Sequence, residues 1–109
     1  MLYLLHHEAL DALKIGVTNA GTNRLRDHRR EGWEVAGRVK GTGEAVYLAE
    51  RAVLGWWREE LALPPHVSSN SMPQGGWTET VSASAVSIPD VLAFMRDAVS
   101  ASEVGGGSR

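Results

Sequence analysis

Two short segments, Leu2-Tyr3-Leu4-Leu5-His6 and Leu13-Lys14-Ile15-Gly16-Val17-Thr18, decide how this 109-residue chain folds. Each is a strand-length, mostly apolar run, and His7–Ala12 between them suffices for a turn, so the pair reads as an antiparallel hairpin. Setting Leu4 opposite Leu13 collects Leu2, Leu4, Leu13, Ile15 and Val17 on one face, an aliphatic set fit for a core. Tyr3, Leu5, Lys14 and Gly16 then share the other face, because residues paired across a ladder point the same way. A slip of one residue would scatter both sets.

Working outward, Thr22 is placed to cap a helix over Asn23–Glu31, which Gly32 stops at the C′ position. Only Leu25 in that helix is strongly apolar, which puts it at the rim of a core. Its four arginines make it the most basic element of the chain. Trp33–Val39 reads as a third strand, with Trp33, Val35, Gly37 and Val39 alternating onto one face. After Gly41-Thr42-Gly43, Glu44–Leu61 has the strongest helical pattern, with an inward stripe of Ala45, Leu48, Ala49, Ala52, Val53 and Trp56. Leu63-Pro64-Pro65 ends it. Residues 66–76 form a polar loop, and Trp77–Ser82 alternates as a short strand. Pro89 opens a last helix, Asp90–Ala101, with Val91, Phe94, Met95 and Ala98 on its apolar side. The order predicts an α+β domain. Its sheet is small, three-stranded and antiparallel with flanking helices: a ββαβα core, then a C-terminal strand and helix. Glu103 onward lacks means of packing, so residues 1–102 make a single domain and 103–109 a flexible tail.

A mass of 11.8 kDa suits one domain with a thin core. Hydrophobic residues at 43% and charged residues at 22% are ordinary for a globular protein, and no apolar run reaches bilayer length. The N-terminal MLYLL lacks the basic region and cleavage site of a secretory signal. There are no cysteines, which removes disulfides, thiol nucleophiles and cysteine–zinc sites and suits a cytoplasmic location. Four Trp against one Phe implies a core built around a few large rings. The net charge of −2 conceals an asymmetry: residues 14–40 hold seven of the eleven basic side chains against three acids. Such a cluster binds phosphate at one face, or is a solvated helix surface.

Tyr3, ten intervening residues and then Lys14-Ile15-Gly16 resemble the paired motif of the GIY-YIG nuclease superfamily, with MLY for GIY and KIG for YIG. Asn23-Arg24-Leu25-Arg26-Asp27-His28 resembles the family's first-helix signature, an Arg followed four residues later by a His. Glu50, within LAERAVL on the next long helix, stands where the family carries its metal-binding Glu. The resemblance spans roughly Leu2 to Val81 and includes the ββαβα order. It departs from the pattern where Lys14 replaces the second tyrosine and where the first motif lacks its Gly and Ile. The resemblance implies a Mg²⁺-dependent endonuclease, a hydrolase of DNA phosphodiester bonds, with Tyr3, Lys14, Arg24, His28 and Glu50 catalytic. Glu50 is also the implied ligand of Mg²⁺ or another divalent cation. The replaced tyrosine leaves a second expectation, a nucleic-acid-binding or interaction module of the same fold without turnover. The chain starts inside the first strand and carries no recognition helix or zinc module. Cleavage is therefore expected to be weakly sequence-specific, or to take its specificity from a separate domain or a partner protein.

The chemistry can be set against the residue types. Phosphodiester hydrolysis needs a deprotonated water, charge stabilisation at phosphorus and help for the departing 3′-oxygen. Tyr3 and Lys14 on one hairpin face supply a proton acceptor and a cation that lowers a phenol pKa from about 10. Equally, a strand tyrosine packs on its neighbours and a strand lysine faces solvent. Arg24 and His28, at i and i+4, project from one side of their helix, an arginine fork for phosphate beside a proton relay. Arg26, Arg29 and Arg30 read as a solvated face that also offers sequence-independent contacts to nucleic-acid backbone. Glu50 sits among Val46, Val53 and Leu54, a setting a free carboxylate avoids. It holds Mg²⁺ with water, or pairs with Arg24 or Lys14. Gly16 permits close approach to the sheet, or marks a bulge. His6 and His7, adjacent on a strand, face opposite ways and do not share an ion. Trp56 and Trp57 read as core and rim, and Glu79 as part of a structural turn ahead of an acid behind the site or a substrate contact.

Overall fold

The hairpin forms, with its register displaced. In the computed structural model, Leu2–His7 (β1) pairs antiparallel with Ala12–Val17 (β2), Leu4 opposite Ile15 and Tyr3 opposite Gly16. The expected partner of Leu4 was Leu13, two residues away. The turn sets this: Asp11 takes a left-handed φ of 49°, and its N–H donates to the Glu8 carbonyl at 3.1 Å. The Leu10 N–H donates to His7 Nδ1 at 3.2 Å, so His7 still pairs with Ala12 as the turn closes. A shift of two keeps every side chain on its face, and both face sets survive. The structure describes residues 1–18, 24–72 and 75–107, with backbone alone at 24, 25 and 104–107.

Glu34–Val39 (β3) pairs antiparallel with β1, and a bulge interrupts it between Leu4 and Leu5 of β1. Val35 lies opposite Leu5, Gly37 opposite Leu4, and Ala36 is the extra residue. The alternation expected along Trp33–Val39 therefore breaks. Trp33 and Val35 join the Tyr3 face, whereas Ala36 and Val39 pack on the aliphatic one. Thr80–Ser82 (β4) pairs with Ala12–Lys14 of β2, giving a four-stranded sheet of order β3-β1-β2-β4 instead of three strands. Trp77–Glu79, expected as extended, forms a 3₁₀ turn. Its carbonyls are claimed by side chains: Thr80 Oγ1 donates to the Trp77 carbonyl at 2.7 Å, and an Arg58 amine donates to that of Thr78 at 2.8 Å.

Arg24–Arg30 (α1) ends as its sequence dictates. Gly32 has φ 98°, its N–H donates to the Arg29 carbonyl, and the Trp33 N–H donates to that of His28, the paired bonds of a Schellman stop. The expected cap Thr22 and the rim position of the Leu25 side chain lie outside the described residues. Gly43–Gly55 (α2) is capped by Thr42, whose hydroxyl accepts from the Ala45 N–H at 3.1 Å. One π turn, Trp56–Glu60, extends it to about the expected length. Its buried row is Ala45, Val46, Ala49, Val53 and Trp57. The anticipated Leu48 and Ala52 are exposed, because that row climbs the helix mainly in steps of four and turns position 48 outward. Trp56 and Trp57 exchange their expected places, because the row in steps of four from Ala45 ends on Trp57: Trp57 is fully buried in the core, and Trp56 is at the rim, stacked on Phe94 with centroids 4.4 Å apart.

Ile88–Gly107 (α3) starts at Ser87, whose hydroxyl accepts from the Asp90 N–H, and runs on where the tail was expected from residue 103. Glu103 explains the continuation: its carboxylate accepts from the Thr42 N–H at 3.1 Å, tying α3 to the start of α2. α2 and α3 cover the aliphatic face, burying Leu2, Leu4, Leu13 and Ile15 with Val81, Val91, Met95 and Val99. A smaller cluster of Trp33, Val67 and Met72 covers Tyr3, Leu5 and Ala12 on the other. Among the described residues, no helix is long and apolar enough to cross a membrane.

Candidate active site

The shortness of β4 creates the site. It pairs with β2 only as far as Lys14, so Gly16 and Val17 on the outer edge of β2 have no partner on β4. A pocket of about 110 Å³ lies here, lined by Tyr3, Lys14, Gly16, Val17, Glu50 and Glu79. Four elements contribute: β1 and β2 from the sheet, α2 through Glu50, and the 3₁₀ turn through Glu79. Three residues singled out in the sequence, Tyr3, Lys14 and Glu50, are thus brought together although 47 positions separate the first from the last.

Tyr3 and Lys14 are held tightly, at 0% and 2% exposure. The Tyr3 ring lies across Gly16, its cross-strand partner, and a Cβ on Gly16 would collide with Cζ and the phenol oxygen. Gly16 is therefore a seat for the tyrosine rather than a bulge. Lys14 Nζ lies 5.6 Å from the Tyr3 ring centroid and donates to the Ile15 carbonyl at 3.2 Å. From the other side Gly76, at φ 95°, presses on the lysine, since a Cβ there would stand 2.6 Å from Lys14 Cε. The lysine's stem is consequently clamped between strand and loop, with its ammonium at the pocket. This is not the solvent-facing lysine of a half-exposed sheet.

Glu50 is half-buried on α2. Glu79, which reads from sequence as part of a structural turn, is also a wall of the pocket, and its Oε2 accepts from the Thr78 hydroxyl at 2.9 Å. Its turn is anchored by Arg58, whose guanidinium donates to the carbonyls of Leu63 at 2.9 Å, Thr78 at 2.8 Å and Thr80 at 2.6 Å. Burial pushes the Arg58 pKa down, and the nearby Glu79 carboxylate partly offsets this. The signal for Glu79 was present in Gly75-Gly76-Trp77-Thr78-Glu79: two glycines at positive φ bring an acidic turn against a strand lysine.

The remaining sequence candidates are distributed differently. His28 is buried at 3% exposure on α1 and is not among the pocket's described lining residues. Arg24 belongs to the same helix, and its side chain lies outside the described residues. Arg26, Arg29 and Arg30 are exposed, a solvated basic face. His7 is engaged structurally, with Nε2 3.0 Å from the Glu31 carbonyl and its ring edge-on to Trp33.

Among the described residues, no cluster of three or more His, Asp or Glu side chains is arranged to hold a metal ion. Mg²⁺ does not require one. It binds through one or two carboxylates and keeps several waters, and the two carboxylates at this pocket are oxygen donors of that kind. The donor set therefore fits a hydrated Mg²⁺. No protein-family model, curated protein or solved structure matches this chain.

Proposed function

We propose that this pocket hydrolyses a DNA phosphodiester bond and that the chain is a Mg²⁺-dependent endonuclease of GIY-YIG type. The observation that supports it is the meeting of Tyr3, Lys14 and Glu50 at one small polar pocket beside β2, past the end of its pairing with β4. A phenol, an ammonium and a carboxylate are the acceptor, cation and metal ligand that the reaction asks for. The resemblance names the same three positions, Tyr3 and Lys14 through the two hairpin motifs and Glu50 through LAERAVL on α2.

In this reading the Tyr3 oxygen accepts the proton of the attacking water, and Lys14 stabilises the negative charge that the phenol acquires. Gly16 and Gly76 fix the two side chains, so their orientation costs nothing when substrate arrives. Glu50, with Glu79 beside it, would hold the Mg²⁺. Bound there, the ion supplies Lewis-acid stabilisation of the phosphate and of the departing 3′-oxygen. Arg24 is assigned the charge that grows on the non-bridging oxygens, by resemblance. The exposed arginines of α1 would hold DNA backbone without reading sequence. A cysteine-free chain suits work in the reducing cytoplasm.

Incubating the protein with supercoiled plasmid, with Mg²⁺ or with EDTA, tests this. Nicked circles that require Mg²⁺ are expected. DNA binding that is salt-sensitive and indifferent to EDTA, without any nick, would instead make the chain a binding module on the same fold.

A further inference from the structure

The row of residues that carries Tyr3 does not end at Tyr3. On β2 its partner is Gly16; on the other side, across the β1–β3 ladder, its partner is Arg38. Residues paired in a ladder share a face, so Arg38 faces the layer of the Tyr3 ring. Its neighbour Gly37 confirms the direction independently. A Cβ on Gly37 would strike Leu92 of α3, in the opposite layer.

The bulge is what turns Arg38 this way. Val35 lies on the Tyr3 face, opposite Leu5. Strict alternation from Val35 would carry Gly37 to the same face and send Arg38 toward the aliphatic core under α3. The extra residue Ala36 reverses the phase, delivering Gly37 to α3 and Arg38 to the site's face. Bulges that re-aim one side chain are common beside active sites. Arg38 is exposed, on an edge strand, and nothing in the packing of the core requires a cation there.

We propose that Arg38 grips a DNA phosphate flanking the one held in the pocket. The proposal rests on the reading of the pocket as a DNA-hydrolysing site, and adds a binding residue to it. The Tyr3 ring leans over Gly16, away from β3, so the pocket lies on the β2 side and Arg38 on the other. Two interstrand steps, about 10 Å in all, separate the backbones of Arg38 and Gly16. A DNA strand that crosses the sheet from the pocket toward β3 brings a flanking phosphate within reach of the Arg38 side chain. An arginine fork there takes two phosphate oxygens and sets the register of the strand without selecting a base.

The test is anisotropy titration of a labelled DNA duplex in EDTA, where no cleavage occurs, from about 50 to 200 mM salt. Wild type is compared with Arg38→Gln and with Arg96→Gln, an equally exposed arginine on α3 in the other layer. Arg38→Gln should weaken binding several-fold at low salt and reduce the slope of log K against log salt by about one. Arg96→Gln should keep the wild-type slope. Equal slopes for wild type and Arg38→Gln, or equal losses in both variants, overturn the assignment. Failure of wild type to bind overturns it together with the hydrolytic reading. The two are separable by plasmid nicking on the same samples. An Arg38-dependent slope without nicking keeps the contact and removes the hydrolase, whereas nicking with an unchanged slope does the reverse.

Discussion

The ring of Tyr3 lies across Gly16, its partner on the neighbouring strand, so closely that no β-carbon fits between them. The aromatic is fully buried, yet its edge borders the pocket shared with Lys14 and Glu50. A single glycine thus determines where the phenol oxygen stands. The two motifs of the hairpin act as one device: the tyrosine of one strand needs the glycine of the other.

Gly16→Ala should accordingly force the ring out of its seat. Overpacking of a filled site costs about 1–3 kcal/mol, and the denaturation midpoint in urea should fall by that measure. Plasmid nicking should fall further than stability does, since the displaced phenol no longer meets its partners. Unchanged nicking in a folded Gly16→Ala protein would show that the position of the ring is immaterial.

Lys14→Met separates charge from packing. The lysine is 2% exposed and shares its pocket with Glu50 and Glu79, and removing one charge from such a buried group costs stability, up to about 3–5 kcal/mol. The midpoint should fall, and the nicking rate of the folded variant should drop more than tenfold. A large loss of stability with the rate preserved would make Lys14 a structural residue.

Arg58→Ala should act at a distance through the turn that carries Glu79. The variant strands three carbonyls, those of Leu63, Thr78 and Thr80. Losing charged hydrogen bonds at a half-buried site costs roughly 2–3 kcal/mol in urea denaturation. Amide hydrogen exchange should accelerate in 77–80 while that in β1 is unaffected. Uniform acceleration throughout the chain would mean that the turn has no independent anchor.

Deleting Ala36 removes the bulge. Val35 and Gly37 then become neighbours opposite Leu5 and Leu4, so the ladder runs on unbroken with Val35, Gly37 and Arg38 on their native faces. A loss of only about 1 kcal/mol, from the packing of the Ala36 methyl, is expected in urea denaturation. A destabilisation several times larger would mean that β3 needs the bulge in order to pair.

These residues also show where the sequence was legible. The two faces of the hairpin were readable because parity alone assigns them, and a register error of two leaves parity intact. The register itself depends on how Asp11 and His7 close the turn, which no apolar pattern reveals. The bulge was hidden for a related reason: Val35-Ala36-Gly37 alternates acceptably in either phase, and only the demand of Leu92 for space at Gly37 decides it. Trp77–Ser82 alternates throughout like a strand, yet only Thr80–Ser82 is extended, because Arg58, twenty residues away from Thr78, captures carbonyls of the turn. Glu103 lies at the head of a glycine-rich stretch that resembles a tail, and its bond to Thr42 is a contact 61 residues long. In the site, Tyr3, Lys14 and Glu50 were found through motif spacing. Glu79 reads first as part of a turn and only second as a site residue, because its place at the pocket depends on Gly76 at positive φ seating that turn against Lys14 rather than on any motif.

Glu50 offers the most direct test. In Glu50→Gln the side chain keeps its size and polarity and loses only its charge. Plasmid nicking in Mg²⁺ should disappear, while the variant stays folded and still binds DNA in EDTA. Mg²⁺-dependent nicking by Glu50→Gln at the wild-type rate would contradict the assignment of this pocket as the place where DNA is cut.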